Sequence, residues 1–154
     1  MHPKRFALIG GIIMLAVGVL ALIPNFVGLA DGLPVLRVQE SYGYFLGLVP
    51  MNIVNKLVLV FIGAAGIYSA NERFTNLPAS IHYSRWVFAI MGALAVLGLI
   101  PRTNTLFGYA PLFGYDIVVH AALAVVGAYF GFALTAKVPD QSPDKNSRMP
   151  AHGL

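Results

Sequence analysis

The sequence contains no cysteine. That excludes disulfides, thiol redox chemistry and cysteine-based metal sites, and it leaves the compartment open. Charge is nearly as scarce. Asp, Glu, Lys and Arg make up 10% of 154 residues, against about 25% in a soluble domain. The few basic residues sit at the edges of apolar blocks. They form no clustered patch of the kind a nucleic-acid surface needs, so no nucleic-acid partner is expected. No nucleophile–base set, phosphate loop or zinc-ligand spacing occurs. The chain is therefore expected not to be an enzyme, and to carry neither a cofactor nor a metal.

What is present is hydrophobic: 58% of the residues, with a mean hydropathy of +0.76. The apolar residues fall into four blocks, at about 6–23, 48–70, 86–100 and 114–134. Runs of this kind suit membrane spans. The expected fold is all-α: a polytopic membrane four-helix bundle over residues 1–136, with membrane lipids as its surroundings. Lys4 and Arg5 before the first block also fit a secretory signal, with Gly28-Leu-Ala30 as a cleavage site. The run is longer than a signal core, which favours an uncleaved first helix. Pro24 and Pro101 end the first and third spans. Arg85 and Trp86 anchor the third at headgroup depth. Residues 137–154 carry three prolines and little apolar surface, and read as a flexible tail.

Between the first two spans, Asn25 to Gly47 is the longest connection, punctuated by Gly28, Gly32, Pro34 and Gly43. It reads as a loop folded over one face of the membrane, the alternative being a ligand lid. Within it, Pro34 to Gln39 fits a short strand or an interfacial turn. Asn71 to Ser84 reads as a polar turn in which His82 is solvated. Seven Lys and Arg lie in the amino terminus, this turn with Arg85 at its edge, and the tail; Arg37 and Arg102 lie in the opposite loops. The bias puts both termini in the cytoplasm. The expected location is the inner membrane of a bacterium.

The halves resemble each other. Leu20-Ala-Leu-Ile-Pro24 matches Leu97-Gly-Leu-Ile-Pro101. In one further register Pro50 matches Pro111, Asn55 matches Asp116, Gly66 matches Gly127 and Tyr68 matches Tyr129. This is a tandem repeat of a helical hairpin, two parallel units entering the membrane the same way. Gly127 and Gly131 form a GxxxG. Together with Gly63 and Gly66 they let helices approach closely, within one bundle or at a seam between copies.

The ionisable residues inside the spans are the candidate site. Asp116 and His120 lie one turn apart on one helix face. Asn52, Asn55 and Lys56 lie at the start of the second span. Intramembrane ionisable groups are costly and face protein or water. Lys56 either snorkels toward the interface or pairs with Asp116 across the bundle. Three readings of Asp116 and His120 follow. In a structural clasp, His120 bonds a carbonyl or Asn55, and Asp116 caps its helix. In a proton or ion relay, the imidazole titrates. As metal ligands they supply two donors where three or four are needed.

The stretch from Gly114 to Gly131, with Leu46-Gly-Leu-Val-Pro-Met-Asn-Ile-Val-Asn-Lys-Leu57, resembles a family of small bacterial four-helix membrane proteins, the domain of unknown function 4383. The likeness covers most of Arg5 to Ala136. It implies a glycine-rich outer turn and an Asp/Asn-x-x-x-His helix in each half. Asp116 and His120 match that pattern. Asn55 matches too, but Leu59 stands where the first-half histidine is expected. The family carries no assigned activity. The leading expectation is a non-enzymatic membrane protein with a structural, interaction or accessory-subunit role, in a larger complex or a homo-oligomer. The alternative is a small transporter or proton conduit using Asp116, His120 and Lys56.

Overall fold

The computed structural model describes residues 3–73 and 75–135. The tail expected at 137–154 lies outside the described residues. Four helices are long and apolar enough to cross a membrane: α1 (Pro3–Ala21), α2 (Ile53–Asn71), α3 (Asn76–Leu99) and α4 (Tyr115–Ala128). A π-helical stretch, Tyr129–Ala133, continues α4. Only 22–33% of each span is buried inside the protein. The outer faces are apolar, with Ile12, Phe61, Val96, Val118 and Val125 exposed. Water would not tolerate so much uncovered hydrocarbon, whereas lipid covers it.

The helices form two hairpins. α1 packs chiefly on α2 and α3 on α4, and α3 also meets α1 and α2. Bare backbone sets the closeness of both hairpins. A Cβ at Gly63 would strike the backbone of Gly11 and Leu15, and one at Gly66 the Ala7 carbonyl and the Tyr83 ring. In the second hairpin a Cβ at Gly127 would strike Ser84 and Phe88, and one at Gly131 would strike Arg85. All four glycines thus face neighbours within the bundle. At the end carrying the α2–α3 turn, the core is Phe6, Met14, Tyr83, Val87, Met91 and Phe130. Phe6 stacks on Phe130 with ring centroids 4.9 Å apart.

Proline stops both odd-numbered helices in the same way. Ile23 and Ile100 precede Pro24 and Pro101 and are extended, with ψ of 118° and 117°. A residue before proline is pushed out of helical geometry.

Two boundaries differ from the sequence reading. The second span, expected from residue 48, starts at Ile53, because Val49–Met51 forms a strand, β2, paired with β1 (Gly43–Phe45). Strands of three residues, one of them containing Pro50, give little periodicity to read. Residues 34–39, read as a strand or turn, form no strand. The third helix starts ten residues before Trp86, so most of the expected polar turn is helical. Its serines make this workable. Ser80 donates to the Asn76 carbonyl and Ser84 to the Ser80 carbonyl, satisfying buried hydroxyls along the helix itself.

At the end opposite the α2–α3 turn, the two long connections merge into one cap. The Arg37 and Val38 N–H groups donate to the Gly108 carbonyl. The Arg37 guanidinium lies over the Tyr109 ring, 5.9 Å from its centroid.

Candidate functional site

Beneath that cap lies a cavity of about 70 Å³. α2 supplies Val54, Asn55 and Val58, and α4 supplies Asp116, Val119 and His120; Met91 and Leu94 of α3 form the floor. Leu106, Ala110 and Leu112 of the cap close it above. The cavity exists because α2 and α4 belong to different hairpins and make little direct contact.

Asn52 is a structural residue. Its side-chain oxygen accepts from the Val54 and Asn55 N–H groups, capping α2. Its amide donates to the Val38 carbonyl at 2.9 Å and the Tyr109 carbonyl at 2.7 Å. Every polar atom of a fully buried side chain is thereby used, and both long connections are pinned to one helix start.

Lys56 neither reaches water nor pairs with Asp116. It is 0% exposed, and its ammonium donates to the backbone oxygen and the hydroxyl of Ser41, each at 2.6 Å. The reason is angular. One residue along a helix turns the side chain by about 100°. Asn55 faces the cavity, so Lys56 faces the loop.

Asn55, Asp116 and His120 do come together. The Asn55 amide nitrogen donates to the Pro111 carbonyl at 3.1 Å, which leaves its oxygen buried and unpartnered on the cavity side. Asp116 occupies the first turn of α4, where the helix dipole favours a carboxylate. It does not cap that helix: the cap position is Gly114, and no side chain bonds there. His120 stands one turn on, its Nδ1 3.1 Å from Asp116 Oδ2. The pair is close but not aligned as a hydrogen bond, and both atoms are without a hydrogen-bond partner in the protein. In place of the expected helix cap, Asp116 contacts His120, and both residues line one cavity with Asn55; the amide oxygen, carboxylate oxygen and imidazole nitrogen are themselves buried.

Asn55 as a cavity partner of Asp116 was signalled by their matching register. The Ser41 seat for Lys56 had no such signal, because it depends on how a loop folds back. Among the described residues no group of three or more His, Cys, Asp and Glu side chains gathers.

Residues 4–133 match the family model described as Domain of unknown function (DUF4383). No curated protein and no solved structure matches the chain.

Proposed function

Because the chain belongs to this family of unknown function and forms four membrane-length helices, we propose that it is a non-enzymatic, multi-pass protein of a bacterial inner membrane whose capped cavity is a dead-end binding pocket. One observation carries the reading: three buried polar atoms lack hydrogen-bond partners, and the residues that carry them all line a single cavity. Leaving such a group unpaired costs about 1–3 kcal/mol, a cost that a bound polar species removes. The Lys and Arg bias puts the capped end on the outer face and both termini in the cytoplasm. An accessory role beside a partner protein suits a chain with so much of its span surface uncovered.

A proton or ion conduit draws support from the Asp116–His120 contact. Two features weigh against it. Lys56 is committed to Ser41. Below the cavity, Met14, Tyr83, Val87, Met91 and Phe130 pack into a largely apolar core, and among the described residues none of the polar groups there, Ser80, Ser84 and the Tyr83 hydroxyl, is an acid or a base that titrates near neutrality. Proteoliposomes carrying the purified protein should therefore show no proton or cation flux above empty vesicles. A flux abolished by Asp116→Asn would replace the binding reading with the conduit. Mild-detergent extraction from native membranes should recover the chain with a second protein; a chain always recovered alone removes the accessory role.

A further inference from the structure

We propose that the groove between α2 and α3, at the end opposite the cap, seats one anionic phospholipid, with an acyl chain along the groove and the phosphate at His82. The site is separate from the capped cavity and does not depend on what that cavity holds.

Shape is the first ground. Ile62, Ala65 and Ser69 of α2 line one side of the groove, and His82, Trp86 and Ile90 of α3 the other. The groove exists because α2 and α3 belong to different hairpins and pack less closely than α1 and α2. Along α3 it runs from Ala79 to Ile90, about 16 Å at a rise of about 1.5 Å per residue. Its volume is about 370 Å³. Spread over that length, this is a slot far thinner than a helix, which is about 10–12 Å across with its side chains. Such a slot admits a single hydrocarbon chain but not a helix.

Its polarity is graded like that of a lipid. The far end is hydrocarbon, Ile62 and Ile90, and the end at the α2–α3 turn carries Ser69 and His82. The Ser69 hydroxyl already donates to the Ala65 carbonyl at 2.8 Å. His82 is exposed, and among the described residues its imidazole has no hydrogen-bond partner. An imidazole carries an N–H donor in either charge state, which suits a phosphate oxygen.

Charge selects the headgroup. Ala7, Gly66 and Tyr83 share one level, since a Cβ on Gly66 would strike the Ala7 carbonyl and the Tyr83 ring. Lys4, Arg5, Ser69 and His82 lie just beyond that level toward the α2–α3 turn, and Arg73 lies in the turn itself. Lys4, Arg5 and Arg73 are exposed. Among the described residues the only acidic side chain at this end is Glu72; Asp31, Glu40 and Asp116 belong to the capped end. A basic end draws anionic headgroups, and the groove takes the chain of one of them.

Trp86 reports on the test. It is the chain's only tryptophan, 66% exposed on the groove wall, and bromine on an acyl chain quenches indole fluorescence on contact. The full chain is reconstituted in phosphatidylcholine vesicles holding a minor fraction of brominated phosphatidylglycerol or, in a parallel series, of brominated phosphatidylcholine. Quenching should favour phosphatidylglycerol by about fivefold, the size of one basic residue's attraction to an anionic surface. His82→Ala should weaken that preference. Ala65→Leu and Ala79→Leu keep every charge but fill the groove, and each should abolish it; elution volume and thermal unfolding in detergent report whether each variant is folded, and either one in folded form decides. A preference that survives filling of the groove is a general attraction to the basic end, and one indifferent to His82→Ala does not place the phosphate there. Equal quenching by the two lipids is an ordinary lipid shell, and no quenching by either is a groove covered by protein. Each of these results overturns the proposal.

Discussion

At the level of single residues, the candidate site separates into a part that holds structure and a part left open. Asn52 does two jobs, and its variants can tell them apart. Asn52→Ala loses a helix cap, about 0.5–2 kcal/mol, and leaves the Val38 and Tyr109 carbonyls without their donor, at about 1–3 kcal/mol for each that stays buried. Asn52→Asp keeps the cap acceptor but sets a carboxylate against those two carbonyls. It should therefore be at least as destabilising as Asn52→Ala in thermal unfolding followed by Trp86 fluorescence. Lys56 behaves differently. Its ammonium is buried on the oxygens of one exposed serine, and water can take over those oxygens. Replacing a buried charge by an apolar chain of similar volume is often neutral or stabilising. Lys56→Met should leave the melting temperature unchanged or higher, yet speed hydrogen exchange at residues 39–42, because the tether on Ser41 is gone.

At the level of elements, the contacts that decide helix spacing are backbone against backbone. A methyl group at Gly63 meets the backbone of Leu15 and Gly11 on α1, which cannot move aside without separating the hairpin. Gly63→Ala should destabilise by about 1–3 kcal/mol. Gly92 is the control. A methyl group there finds only the Ala124 methyl, at 3.8 Å, so Gly92→Ala should be neutral or stabilising by up to about 1 kcal/mol from helix propensity. Unfolding of both variants in the same detergent settles the comparison. Hydropathy made the four helices legible, because each must present an apolar wall to lipid. It could not show where α3 begins. Its first turns carry Ser80 and Ser84, whose hydroxyls are absorbed by carbonyls one turn back, an arrangement that composition does not reveal. The hairpin of Gly43–Phe45 and Val49–Met51 was equally hidden. Of the site, the Asp116 and His120 pairing was readable from helical spacing, and Asn55 from its register. The division between the cavity-lining residues and the fully bonded Asn52 and Lys56 depends on loop carbonyls whose positions no local pattern encodes.

At the level of the whole molecule, the orientation in the membrane can be tested directly. In the orientation proposed above from the basic residues, the α2–α3 turn and both termini are cytoplasmic. In whole cells, a membrane-impermeant thiol reagent should label Asn104→Cys, in the half-buried connection after α3, and spare Asn71→Cys, at the exposed end of α2. The reverse labelling would invert the bundle and move the capped cavity to the cytoplasmic face.

The bonds from Asn52 to the Tyr109 carbonyl and from Asn55 to the Pro111 carbonyl also set an order of events during synthesis. When the first hairpin leaves the ribosome, the Val38 carbonyl is already at hand for Asn52, but these two acceptors are still more than fifty residues away. Until they arrive, the Asn55 amide has no final acceptor and the Asn52 amide only one of its two. An amino-terminal fragment ending before residue 104 should therefore be cleared by membrane quality-control proteases, and co-expressing the remaining hairpin as a second polypeptide should rescue it.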